Sequence, residues 1–299
     1  MFTQKNLIII GAGGSVPYGF QTGIGLKTEA INILAPGNGA EISFLVKIAP
    51  QYDLEPKDIL AFRKLLQNTP YDESIDAVIQ SSSDPRKGIE IEKMVSAAKL
   101  VTALLIIKCE KKDKLHERNE SWYKALFDKL YASSDRKLTG FLSFGQRLAF
   151  VTFNYDRSLE EFMLISICER FGIQEKEASK LLNENFVFIH PHGQVGILLN
   201  KDDPAFRDYD GIWKNPDSIK VAAGKIKFIT EDLTEEDNAT FSKIKDLIRD
   251  FHKIHFVGFG YNPDNMARLG FDSTFTNTLG NDEVYGTLKG KTPRDRGFI

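Results

Sequence analysis

The sequence predicts an α/β fold: a Rossmann-like parallel sheet with helices on both faces and a helical insertion. Three observations predict it. Short continuous apolar runs end in glycine, asparagine or histidine loops, as strands buried on both faces do. Segments with helical periodicity separate these runs, and strand–helix alternation implies parallel strands joined by right-handed crossovers. Residues 31–139 carry helical texture alone. The expected organisation of the 299 residues is one domain, with a core of 1–30 plus 140–299 and an insertion at 31–139.

The elements follow in order. Residues 7–10 (LIII) read as the first strand, running into the glycine turn GAGGS at 11–15. Within the insertion, 54–67, 89–107 and 122–131 space apolar residues for helices, punctuated by PGNGA (36–40) and SSSDPRKG (81–88). Strand texture returns at 148–153, before Asn154, Tyr155 and Asp156. A helix is expected over 158–171, with Ser158 and Glu161 spaced as a capping box. Residues 186–189 form a further strand ending in His190, Pro191, His192 and Gly193. Residues 226–229 are expected as a strand. Thr234 and Asp237 form a second capping box opening a helix to about residue 252. Residues 254–257 form the last expected strand, closed by Gly258, Phe259 and Gly260.

Composition excludes several classes. Lys and Arg number 39 against 41 Asp and Glu, a net charge of −2. That excludes binding nucleic acid through overall positive charge. Hydrophobic residues make up 42% and charged residues 27%, a globular balance. Two distant cysteines, Cys109 and Cys168, can build neither a four-thiolate zinc site nor a disulfide framework. The apolar stretch 100–107 falls short of the roughly 20 residues that span a bilayer. The run at 7–10 meets glycines at once rather than a signal-peptide cleavage site. The expectation is a cytoplasmic protein without membrane or direct nucleic-acid contact.

Four loops at strand ends carry the chemistry, because ligands in such sheets bind at the carboxyl ends of the strands. GAGGS lets backbone approach a phosphate, or is simply a tight strand–helix turn; it lacks the third glycine of GxGxxG, where Val16 stands. Asn154 and Asp156, two apart in extended backbone, share a face and point into one pocket, or else make Asx turns. His190 and His192 form a His-x-His pair with no second metal-ligand cluster in the sequence. His192 is the candidate general base, its ordinary pKa lying near neutrality, and no metal is expected. In the fourth loop, 256–270, Asn262 caps a helix begun by Pro263 and Asp264, while Gly258 and Gly260 leave room for a ligand. His116, His252 and His255 have no companion motif.

Together GAGGSVPYGFQTG (11–23), TFNYDRSLE (152–160), PHG (191–193) and VGFGYNPDNMARLG (257–270) resemble the sirtuin-like family, in its bacterial branch. The resemblance spans nearly the whole chain, and the motifs come in the family's order. It implies a Rossmann-like core binding NAD as substrate in an extended pose. It implies Asn154 and His192 as the catalytic pair, with Asp156 holding the nicotinamide-ribose end. Ala12, Gly13 and Ser15 would lie along the pyrophosphate. Gly258, Gly260 and Asn265 would lie near the adenosine half, and Thr22 and Gly23 in the mobile cofactor loop. Phe153 replaces the glutamine of the deacetylases, and the zinc cysteines are missing. Both differences favour the branch that cleaves NAD in antiphage defence.

The implied function is an NAD glycohydrolase giving nicotinamide and ADP-ribose. Cleavage develops positive charge on the ribose, which a fixed dipole stabilises. Two alternatives stand beside it: a non-catalytic NAD or ADP-ribose sensor module, and a protein deacylase or ADP-ribosyltransferase. The branch commonly forms homo-oligomers and works beside a sensor or effector partner. None is evident in this chain, so a partner supplies sensing or the chain is a piece of a longer protein. The apolar insertion at 100–107 is either a subunit interface or the insertion's own core.

Overall fold

The computed structural model describes residues 4–37, 39–83, 90–117, 121–209, 213–229, 231–271 and 283–287. Five strands, β1 (Asn6–Ile10), β2 (Leu148–Thr152), β3 (Val187–Ile189), β4 (Lys253–Val257) and β5 (Glu283–Gly286), form one sheet in the order β3-β2-β1-β4-β5. Every pairing is parallel; Ile8 stands beside Phe150 on one side and His255 on the other. This is the α/β Rossmann-like architecture expected, with the order reversing at β1.

All five β1 residues are buried, because each face of the sheet meets a different core. Ile8, Ile10, Leu148 and Phe150 join Phe162, Phe141 and the insertion's apolar residues in one cluster. Leu7, Ile9, Ala149 and Val151 face Phe241, Ile244 and Ile248 of the helix Glu235–Asp250. Alternate residues of one strand therefore bury on opposite faces, which explains why its sequence is a continuous apolar run.

The insertion is helical throughout its described elements. Its longest helix, Ile91–Cys109, is buried nearly all round from Met94 to Ile107. Residues 100–107 are thus interior to the chain itself, the second of the two readings above. Several bonds fasten the insertion to the sheet's loops. Trp122 Nε1 donates to the Gly14 carbonyl at 2.9 Å, and the Tyr123 amide donates to Tyr18 Oη at 2.9 Å. Arg157, just after β2, makes a bidentate pair with Glu110 at 2.9 and 2.8 Å, both side chains fully buried.

Two expectations need correction. Residues 226–229 form no strand: Ile226 ends the helix Pro216–Lys225, and the Lys227 amide bonds the His192 carbonyl at 2.9 Å. Ile226 and Phe228 are buried in the helical core rather than paired in the ladder, so alternating burial here imitates a strand. The fifth strand is instead β5, exposed along its length beside β4. Ser158 does not cap its helix; Arg157 holds the cap position without a side-chain bond. Asp156 Oδ1 accepts the Ser158 amide at 3.1 Å, and Glu161 pairs with Lys112 at 2.8 Å. The nearby Asp156 carboxylate satisfies the helix start more directly than a serine hydroxyl can. The helix Ser158–Phe171 itself, the Thr234–Asp237 capping box and the Asn262 cap are as predicted. Parts of the 36–40 and 81–88 joints lie outside the described residues, as does 290–299. No helix among the described residues is long and apolar enough to cross a membrane.

Candidate active site

A cavity of about 290 Å³ opens where the strand order reverses, between the loops after β1, β2, β3 and β4 and the helices facing them. It lies at the small end of the roughly 300–1,000 Å³ range of small-molecule sites. Asn154, Asp156, His192, Ala12, Gly23, Gly260 and Asn265 all line it. Gly13, Ser15, Thr22 and Gly258 do not; each is occupied in building the walls.

Glycines 11, 13 and 258 serve the packing of one loop against another. The Gly13 amide donates to the Gly258 carbonyl at 2.9 Å. A Cβ on Gly11 would stand 2.7 Å from the Phe259 Cα, and one on Gly258 only 2.0 Å from the Gly14 nitrogen. Gly258 also has φ +58°, which an L side chain strains to adopt. Gly260 differs: a Cβ there meets nothing within 4 Å. Thr22 caps the helix Gly23–Ile33, its hydroxyl accepting the Gly25 amide at 3.3 Å.

Asn154 is buried and held on three sides. Its Nδ2 donates to the Gly11 carbonyl at 3.0 Å and to Ser15 Oγ at 2.8 Å. A carbonyl partner fixes which end of the amide is nitrogen, so Oδ1 is the end left to accept from a ligand. His190 contacts the Asn154 carbonyl through Nδ1 at 3.0 Å and Glu160 through Nε2 at 2.6 Å. Both ring nitrogens of His190 are therefore engaged beneath the site. Burial opposes its protonation, but the Glu160 carboxylate outweighs burial and holds the His190 pKa above its ordinary value.

His192 reaches across the sheet. Its Nε2 lies 3.0 Å from Asn265 Oδ1, which ties the β3 loop to the helix Pro263–Leu269 after β4. An amide oxygen only accepts, so Nε2 carries the proton and Nδ1 is the basic nitrogen. Phe153 and Phe241 stand edge-on to the ring. Burial, reinforced by Arg268 and opposed by Asn265, lowers the His192 pKa, so the ring is neutral at pH 7. Asp156 is raised by burial, while the Ser158 and Ser15 hydroxyls stabilise its charge.

No motif in the sequence marks the cavity's other wall. Ser74, Asp76, Ala77 and Gln80 line it from the helix Ile75–Ser82 and its cap, with Ile106 behind. Asp76 hydrogen-bonds the Tyr155 hydroxyl and the Ile229 amide; burial pushes its carboxyl up to about 6. Nothing in local sequence links this aspartate to loops far along the chain. The only available signal was an acidic residue beside the Ile75, Val78 and Ile79 stripe, in a helix start marked by Ser74. Among the described residues no group of three or more His, Cys, Asp or Glu is placed to hold a metal ion. The chain matches no protein-family model and no curated protein.

Proposed function

We propose that this protein is a sirtuin-like NAD glycohydrolase, releasing nicotinamide and ADP-ribose. The observation that carries the reading is that Asn154 and His192, on different strand loops, line one cavity at the point where strand order reverses. Its lining suits the substrate's cationic ring: Asp76 and Asp156 contribute carboxyls, and no Lys or Arg is among the described lining residues. The diphosphate then falls to the Ala12 amide of the glycine turn, because the Gly11 amide is given to the Val257 carbonyl at 3.0 Å.

In this reading the Asn154 Oδ1 accepts from the nicotinamide amide or positions the attacking water. Because Nδ2 is locked to Gly11 and Ser15, the dipole is fixed before substrate arrives and need not reorganise as charge develops. The C–N bond breaks with its electron pair going to the pyridine nitrogen, and water supplies the new C–O bond. His192, neutral and with Nδ1 basic, accepts a hydrogen bond from a ribose hydroxyl, and the water's proton leaves as the C–O bond forms. The same reading assigns the protein to bacterial antiphage defence in the cytoplasm, as a homo-oligomer working beside a sensor partner.

Incubation with NAD tests the assignment, following nicotinamide release and heat of binding together. Release by the parent and its loss in Asn154→Ala and His192→Ala, with thermal midpoints preserved, is the expected result. Binding without release in the parent overturns the enzyme and leaves a sensor.

A further inference from the structure

Resting on the reading of the cavity as an NAD-cleaving site, we propose that Asp76 is its general base. Its carboxylate takes the proton from the water that attacks the anomeric carbon of the nicotinamide ribose.

Position is the first argument. Asn154, Asp156 and His192 all rise from the sheet's strand ends, whereas Asp76 stands on the insertion wall facing them. Among the described residues that wall offers Asp76 as its single acid–base group; its neighbours are Ser74, Ala77, Gln80 and Ile106. Where water displaces a sugar substituent directly, the base lies on the face opposite the departing group. Nicotinamide leaves as a neutral molecule, so no acid is needed on its side and one base suffices.

Capacity is the second. A carboxylate offers about four lone-pair sites, and Asp76 fills three of them, with the Tyr155 hydroxyl, the Ile229 amide and its own amide, which leaves one for a water. Asp156 has as many partners, Ser15 and the Ser158 hydroxyl and amide, but is buried where Asp76 is only half-buried. The Tyr155 hydroxyl also lies 3.1 Å from the Lys227 carbonyl. With only one proton to give, it bonds Lys227 when Asp76 is protonated and is free to turn to Asp76 when that group is ionised. The pair is therefore arranged to hold Asp76 in either state.

Surroundings are the third. Tyr155 comes from the β2 loop. Glu231 follows the 226–229 segment, with its charge paired to Lys99 of the helix Ile91–Cys109 at 2.6 Å. Asp72 and Glu73 lie just before the helix that carries Asp76, and Asp156 and His192 lie across the cavity. Burial, with the Glu231 charge adding to it, raises the carboxyl to about 6, near the pH at which a base is most effective. In the reaction the water O–H bond breaks toward Asp76, the C–O bond forms, and the C–N pair leaves on nicotinamide.

The test measures nicotinamide release by the parent, Asp76→Asn, Asp76→Ala and Asn154→Ala, with and without sodium azide, across pH 5 to 8.5. General-base removal costs roughly 10²–10⁴-fold, so Asp76→Asn is expected to lose at least about 100-fold in kcat with KM within a few-fold. The parent's acid limb near pH 6 should vanish in that variant. Azide, which attacks without giving up a proton, should restore release to Asp76→Ala and yield ADP-ribosyl azide, identified by mass, but should not restore Asn154→Ala. An Asp76→Asn enzyme within threefold of the parent kcat, retaining the acid limb, overturns the role of Asp76 and leaves the NAD reading intact. No nicotinamide from the parent overturns both.

Discussion

Glu110 stands between two arginines, out of reach of solvent. Its side chain is fully buried, as is that of Arg157, and Arg207 is 5% exposed. Arg157 takes both carboxylate oxygens, Arg207 bonds Oε2, and the remaining guanidinium donors go to carbonyls, including Val195 at 2.8 Å. The trio carries a net charge of one, and Glu110→Gln leaves two like charges facing each other in the interior. Removing one partner of a buried ion pair costs about 3–5 kcal/mol, mainly because the other charge is stranded. Against a total of about 5–15 kcal/mol for a folded protein, that is a large fraction. Urea unfolding followed by circular dichroism should show the midpoint of Glu110→Gln falling accordingly. The same logic predicts that replacing all three residues by apolar ones of similar volume recovers most of the loss, since no charge is then stranded. A Glu110→Gln loss below about 1 kcal/mol, or a triple variant no better than the single one, would refute the reasoning.

Three further outcomes follow from the geometry. Asp76→Asn should stabilise the ligand-free protein: a carboxyl held at about 6 rather than 3.8 binds its proton more tightly when folded, so the parent loses stability between pH 4 and 6. The variant's advantage in thermal or urea unfolding should grow over that window to at most ~3 kcal/mol, at about 1.4 kcal/mol per pH unit, and stay constant above it. Gly258→Ala, with φ +58° and a Cβ 2.0 Å from backbone, should lose more than about 3 kcal/mol. Gly260→Ala should fold as the parent does, and Gly260→Phe should keep its unfolding midpoint while raising KM for NAD. His190 has a raised pKa when folded, so its contribution is complete below about pH 6.5 and fades as pH rises through that higher value. His190→Gln should flatten the parent's stability profile in that range.

The sheet was legible because burial on both faces writes itself as an unbroken apolar run, as at 7–10, and because caps such as Thr234 and Asn262 act within one turn. The same loops identified Asn154 and His192 as neighbours in space. What was illegible depends on contacts between distant segments. β5 is an exposed edge, so its four residues EVYG carry no burial pattern. Residues 226–229 alternate in burial because a helical core receives Ile226 and Phe228, and periodicity cannot say which partner receives an apolar side chain. Ser15 reads as a phosphate-turn residue by position, yet its hydroxyl is bound to Asn154. Asp76 sits in an ordinary amphipathic helix, and only the packing of the insertion places it opposite the strand ends.

The glycine-rich loops show how a motif can serve the walls of a site as much as its ligand. Gly11, Gly13 and Gly258 lack side chains because two loops interlock there backbone to backbone. That interlock fixes the Gly11 carbonyl and, close by, Ser15 Oγ, which together hold the Asn154 amide. The turn is in turn anchored by Trp122 through the Gly14 carbonyl, and the β2 loop by Glu110 through Arg157. The strand ends therefore owe their geometry to the same insertion that supplies the cavity's far wall.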